Sequence, residues 1–301
     1  MAMKHGIHLE RVSASTVAAI DERLMSNAAA LILDDFIVAV DVGMRPYAAR
    51  LLRATLEEEY QRPVRFACLT HYHADHAFGL QPFKDVALFG SFEIAETLVG
   101  GPDWSPDAIA RWRRDDPDGG DWLNEVEFIV PALLFRERLD ITNRARVAEF
   151  HHSGGHTRCS VYGYLRDERV IFAGDLLFSE MFPFAGDVST DPERWMATLR
   201  SWLTMDVDHV IPGHGAVVGI EEVEKQLKFL ETLKQNTIEA IENGRDHDEI
   251  VLPATYPQPD EGWVVERTTR RWHSYYGERC SRSRTDVNEG QHQEHPNAVL
   301  P

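Results

Sequence analysis

Thr70-His71-Tyr72-His73-Ala74-Asp75-His76 directly follows Val64-Arg65-Phe66-Ala67-Cys68-Leu69. The first six residues, 64–69, are apolar, β-branched and aromatic, the pattern of a buried strand. The heptapeptide after them places three imidazoles and a carboxylate within six positions, from His71 to His76. Imidazole and carboxylate suit zinc, iron and manganese. The chain holds 14 histidines, so chance pairs are expected, but a His-x-His-x-Asp-His string at the end of a buried strand is a specific signal.

Four further stretches repeat the arrangement of an apolar strand that delivers a ligand-capable residue to a glycine-containing turn. Val38-Ala39-Val40 ends in Asp41. The strand ending at Phe150 leads into His151-His152-Ser153-Gly154-Gly155-His156-Thr157. Val170-Ile171-Phe172-Ala173-Gly174 ends in Asp175, and Val210-Ile211-Pro212-Gly213 ends in His214. Glycine permits the tight backbone and close approach that such a site needs.

This set resembles the metallo-β-lactamase-fold hydrolase superfamily over about residues 28–218, with the motifs in the expected order. The resemblance implies an α/β fold, an αββα sandwich of two mixed sheets flanked by helices, with two zinc ions at one edge. It also implies His71, His73 and His156 as ligands of a first metal and Asp75, His76 and His214 as ligands of a second. Asp175 would bridge both, and Asp75 and Asp175 would carry catalytic roles. Iron or manganese would suit the same donors. A hydroxide shared by two ions about 3.5–4 Å apart would attack the substrate, with no serine or cysteine nucleophile required. Asp41, Thr70, Thr157 and Ser153 are candidates to orient the imidazoles. His152 reads better as a satisfied polar residue than as a substrate contact, Cys159 as a small buried residue, and Tyr72 as a packing or edge residue.

Fold does not set substrate. A Gly-Asp bridge resembles the thioesterases of the glyoxalase II type, the lactonases and the phosphodiesterases more than the β-lactamases. Arg267, Arg270, Arg271 and Tyr275 lie near the C-terminus but match no glutathione-binding motif. The apolar run Phe178, Met181, Phe182, Pro183 and Phe184, with Trp104 and Trp112, could line a pocket for a largely apolar small molecule. The expectation is therefore a dinuclear hydrolase of a small ester-like or lactone-like substrate. A thioesterase, a β-lactamase-like hydrolase and a one-iron oxidoreductase of the persulfide dioxygenase type are the alternatives.

Composition bounds the rest. The 301 residues, 43% hydrophobic, suit one large domain over 1–280 with an inserted helical segment near 100–123. That segment would form a wall beside the site or a surface excursion. The last helix is expected over Trp263–Tyr276, and the polar stretch 281–301 is expected to be a disordered tail. Forty-nine acidic against 31 basic residues, net charge −18, oppose nucleic-acid binding. No apolar run approaches 18 residues and no signal-peptide core follows Met1, so no membrane partner is expected. Three scattered cysteines suit a reducing, cytoplasmic setting. A homo-oligomer is compatible with the aromatic content.

Overall fold

The computed structural model describes residues 6–291, apart from 101–103, 117, 118, 128 and 145. Apolar runs with high β-propensity form two sheets that stack face to face. The first contains, in spatial order, β1 (Glu10–Arg11), β2 (Thr16–Ala19), β3 (Ala28–Ile32), β4 (Ile37–Val40), β5 (Val64–Cys68), β6 (Ala87–Ser91) and β7 (Leu133–Phe135). Pairing is antiparallel from β1 to β4 and parallel from β4 to β7. The second sheet contains β8 (Arg138–Asn143), β9 (Arg146–His152), β10 (Val161–Leu165), β11 (Val170–Phe178) and β12 (His209–His214), ordered β12-β11-β10-β9-β8. It is antiparallel except for the parallel β11–β12 pair.

Three apolar layers hold this arrangement. Between the sheets lie Val38, Val40, Cys68, Phe89, Phe150, Val161, Phe172 and Ile211, with Phe89 and Phe150 packed edge to face at 4.7 Å. The outer face of the first sheet is covered by α1 (Pro46–Tyr60) through Ala49, Leu52 and Leu56 and by α3 (Phe92–Gly100) through Ile94 and Leu98. The outer face of the second is covered by α5 (Pro192–Trp202), α6 (Ile220–Glu242) and α7 (Gly262–Gln291), which bury Trp195, Trp202, Phe229 and Trp272. β4 and β11 are buried along their whole length and read as near-continuous apolar runs, whereas β5 turns Arg65 to solvent. The architecture is an αββα sandwich.

Local rules set the helix starts. Pro46 and Pro192 sit in the first turns of α1 and α5, where a missing N–H removes no helical bond. Asp191 caps α5 by accepting from the N–H groups of Glu193 and Arg194. In the 100–123 segment, Ser105 caps α4 (Pro106–Asp115). Trp104, Trp112 and Trp122 gather with Phe78, Met44 and Leu123 in a small separate cluster. That cluster packs on Ala74, beside the histidine string, so the segment is built against the base of the site. Residues 101–103, 117 and 118 of it lie outside the described residues.

Two strands escape the sequence pattern, and two sequence readings need correction. Strands β2 and β8 are not evident in the sequence: β2 is only four residues, and β8 hides in Arg138-Leu139-Asp140-Ile141-Thr142-Asn143, where polar residues occupy the outward positions of a period-two pattern. The strand-like run Glu127–Val130 forms no strand at 127, 129 and 130, while 128 lies outside the described residues; the parallel neighbour of β6 is instead β7. Finally, α7 does not stop at Tyr276 but runs through Gln291, into the stretch expected to be irregular; residues 292–301 lie outside the described residues.

The sandwich also fixes how closely its two halves approach at one edge. A methyl group at Gly213 would lie 1.9 Å from Asp175 Oδ1, because the parallel β11–β12 pair brings the two turns into contact. Gly213→Ala is therefore expected to displace the Asp175 carboxylate and to lower stability by about 1–3 kcal/mol, as overpacking does. Thermal denaturation checks this; an unchanged Tm would contradict it.

Candidate metal centre

Five strands, β4, β5, β9, β11 and β12, carry residues to one edge of the sandwich. Parallel pairing of β4 with β5 aligns Val40 with Cys68, which sets Asp41 beside Thr70. The chain after β5 turns into α2 (Ala74–Ala77), so His71, His73, Asp75 and His76 leave the backbone in different directions from one short turn. His156 comes from the loop between β9 and β10, and Val161 N–H donates to Thr70 O at 2.8 Å, tying that loop to the first sheet. Asp175 lies within β11 at the point where its register with β12 shifts, and His214 ends β12. Asn27 links the sheets again, donating to Pro212 O and Gly215 O at 2.9 and 2.7 Å.

The seven side chains converge in two groups that share Asp175. His71, His73, His156 and Asp175 form one, and Asp75, His76, Asp175 and His214 the other; within each group the ligand-capable atoms lie within 4.8 Å of one another. His71, His76 and His156 are almost wholly buried, and Asp175 is 5% exposed.

The hydrogen bonds outside the cluster decide which nitrogen each imidazole presents inward. Phe184 O can only accept, so His156 Nδ1, 3.0 Å away, carries the proton and Nε2 keeps its lone pair. His76 Nδ1 donates to Asp41 Oδ2 at 2.8 Å, again leaving Nε2 free to ligate. Thr70 Oγ1 donates to the same carboxylate at 2.7 Å, so its oxygen accepts from His71 Nδ1 at 3.1 Å. His73 is reversed: its Nε2 donates to Asp187 Oδ2 at 3.2 Å, and Nδ1 points inward. There, His73 Nδ1 meets His71 Nε2 at 3.0 Å and His156 Nε2 at 3.1 Å. With the outer nitrogens protonated, these three inward atoms are all lone-pair donors. Such crowding repels unless a cation accepts all three.

The second group fits a cation by a different sign. His76 Nε2 and Asp175 Oδ1 are 3.0 Å apart, yet neither has a hydrogen-bond partner of acceptable geometry among the described residues. Buried polar atoms left in this way need another partner. His214 Nε2 lies 3.1 Å from Asp75 Oδ2 and 3.4 Å from Asp175 Oδ1, with its ring stacked on Phe178. Burial depresses the basicity of His71, and brings that of His156 down to about 4, so both are neutral and ready to ligate. Burial alone would raise Asp75 and Asp175, but the neighbouring His76 and His214 outweigh it and keep both carboxyls ionised. Both groups therefore suit divalent cations.

Among the residues considered for support, Asp41 and Thr70 do orient imidazoles. Thr157 instead bonds Ser160, and Ser153 bonds Gly154 O. His152 is satisfied by the carbonyls of Arg136 and Arg158, Cys159 is buried beside Thr157, and Tyr72 is buried with its hydroxyl on Asp187. Asp187 itself is not evident in the sequence motifs. It is wholly buried, and it accepts from His73, Tyr72 and both the N–H and hydroxyl of Ser189. Its only sequence signal is an Asp-x-Ser turn after Gly186. Of the aromatic run, Phe182 fills the core against Phe229, whereas Phe178 and Phe184 abut the histidines.

The family model of the metallo-beta-lactamase superfamily matches residues 22–214, and the chain belongs to that superfamily. It is 24% identical over 274 residues to a linear primary-alkylsulfatase of Pseudomonas sp., a match covering 80% of this chain and 51% of that protein. The chain thus spans about half the length of that relative. It is 27% identical over 210 residues to an acyl-coenzyme A thioesterase of Homo sapiens, covering 63% of this chain and 72% of the relative. A sec-alkyl sulfatase structure, a double mutant, superposes with a TM-score of 0.67 at 16% identity, over 90% of this chain and 50% of that one. A metallo-beta-lactamase from Pontibacter korlensis superposes at 0.60 and 15% identity, over 75% and 99%. These structural likenesses establish the fold.

Because Asp187 sets the tautomer of His73, Asp187→Ala is expected to weaken metal affinity about 10–100-fold while leaving the fold in place. Competition against a chromophoric chelator, with circular dichroism as a control, checks this; an unchanged affinity would contradict the orienting role.

Proposed function

We propose that this protein is a two-metal hydrolase that cleaves an ester-type bond joining an aliphatic chain to a polar group. One observation carries the reading: two four-residue ligand groups share the single carboxylate of Asp175. His71, His73, His156 and Asp175 would hold one ion, and Asp75, His76, His214 and Asp175 the other. Two ions so placed supply Lewis acidity and lower the pKa of water they bind. Five imidazoles with two carboxylates favour zinc. The completeness of the second group favours this reading over a one-iron oxidoreductase.

The chain's own residues do the remaining work. Asp175 is buried and positions both groups. Asp75 is the more open carboxylate, its side chain 27% exposed against 4%, so it is the one that can face both water and substrate and move a proton there. Ser26 Oγ donates to Asp75 O at 2.6 Å and holds it. The described residues of the 100–123 segment pack against Ala74 of α2 through Trp104, Trp112 and Leu123.

The aliphatic part of the proposal rests on exposed apolar residues close in sequence, or packed, to residues with site contacts. Met25, Met181, Val188 and Trp263 are exposed large apolar residues. Met25 precedes Ser26, Val188 follows Asp187, and Trp263 packs on Phe184 at 5.6 Å. Met181 follows the Ser179 N–H that donates to His214 O. Apolar side chains at the ends of site contacts suit an alkyl or acyl chain. The matched relatives, an alkylsulfatase and an acyl-coenzyme A thioesterase, are named for substrates of that kind. Buried, unbridged Cys68 and Cys159 suit a cytoplasmic setting, which we include in the proposal.

Asp175→Ala is expected to lower kcat/KM on alkyl or acyl esters by more than about a hundredfold, beyond the effect of losing an orienting partner. Bound metal should fall from two per chain to one or none. Elemental analysis with a panel of ester, thioester and sulfate-ester substrates tests this. Wild-type rates from the variant would overturn the proposal.

A further inference from the structure

One four-residue stretch, Phe184-Ala185-Gly186-Asp187, touches both the metal-side histidines and the start of α7. On the inner side Phe184 O accepts from His156 Nδ1, its ring lies 6.0 Å from His73 and 6.1 Å from His156, and Asp187 accepts from His73. On the outer side Ala185 N–H donates to Thr268 Oγ1 at 3.2 Å. A methyl group at Gly186 would meet Arg267 Cβ and carbonyl carbon at 2.7 Å, so only glycine lets this loop lie on α7 so closely. Arg267 is therefore fixed relative to the histidines by the loop that orients them.

The Arg267 guanidinium lies 5.3 Å from the Phe184 ring and 5.8 Å from the Trp263 ring. Among the described residues it forms no hydrogen bond or ion pair with a carboxylate, although the chain carries 49 acidic residues. Its neighbours on the same helix are engaged: Arg270 pairs with Glu266 at 2.6 Å and Arg271 donates to Thr190 O. A half-buried guanidinium braced on two aromatic faces keeps its N–H donors available for an anion.

Resting on the two-metal reading above, we propose that Arg267 is a specificity-determining residue that binds an anionic group of the substrate, one aromatic ring away from the scissile bond. The substrate class is thus an ester or thioester whose polar part bears a carboxylate, sulfonate or phosphate. Phe184 separates the two sites: its carbonyl serves His156 and its ring supports the cation. Hydrolysis adds water across the ester bond, and the anion at Arg267 takes no part in it. A packing role for Arg267 would affect neutral and anionic ligands alike; a recognition role separates them.

The test uses the metal-loaded full chain. Binding of hexane-1-sulfonate and of 1-hexanol is followed by calorimetry in wild type, Arg267→Gln, Arg267→Lys and the control Arg270→Gln. The sulfonate should bind about tenfold or more weakly to Arg267→Gln, the size of one charge-assisted hydrogen bond. Arg267→Lys should recover much of this, hexanol should change less than the sulfonate, and Arg270→Gln should match wild type. Equal affinity of wild type and Arg267→Gln for the sulfonate, or parallel losses for hexanol, would overturn the assignment. Turnover separates the two readings. Hexanoyl thioesters of mercaptoethanesulfonate and ethanethiol place the charge on the leaving group or omit it; 4-nitrophenyl glutarate and valerate do so on the acyl side. The wild-type preference for the charged member of one pair should collapse in Arg267→Gln and identify the side. Arg267-dependent sulfonate binding without any turnover would sink the hydrolase reading alone. Turnover without a charge preference would sink the Arg267 assignment alone.

Discussion

A carboxylate buried between opposing sets of imidazoles is the constraint on which this molecule depends. Asp175 lies 3.5–3.6 Å from His156 and His71 on one side and 3.0–3.4 Å from His76 and His214 on the other. An ionised group in such a place is tolerated only with compensating positive charge. The imidazoles of His71 and His156 are neutral by burial and cannot provide it, so it comes from His76 and His214 on the other side and from any cation that the shared donor set binds. The surrounding fold then makes sense as a scaffold for one acid. Gly213 vacates the space its carboxylate occupies, and Gly174 adopts a left-handed conformation with Thr70 Oγ1 2.6 Å from where a methyl group would stand.

Around that centre, support is built from shared partners. Asp41, itself in a left-handed conformation at φ 57°, serves Thr70 and His76 together and His71 through Thr70. The Phe184–Asp187 loop serves His156 and His73 and also fixes Arg267. Perturbing one of these partners therefore moves more than one ligand. Support shared in this way suits a site that must hold five imidazoles in fixed tautomers.

Much of this was legible in the sequence, and the reasons are local. Six of the seven donors end or follow a strand and Asp175 sits within one; their short motifs carry the family resemblance that implied them, so no knowledge of packing was required to single them out. The buried parallel strands were visible as apolar runs. What stayed hidden was set by tertiary context. Strand β8 alternates around charged residues that only a sheet edge explains. Asp187 is separated from His73 by 114 residues and has no motif of its own. Thr157, next to a ligand in sequence, turns instead to Ser160. Arg267 looked like one of several basic residues on a helix, and only its position over Phe184 and Trp263 sets it apart.

The central claim, that two cations share Asp175, is tested most directly by anomalous diffraction from crystals of zinc-loaded protein. The account predicts two peaks about 3.5–4 Å apart, one among His71, His73 and His156 and one among Asp75, His76 and His214, both bonded to Asp175. A single peak, or peaks that leave Asp175 unbonded, would contradict it.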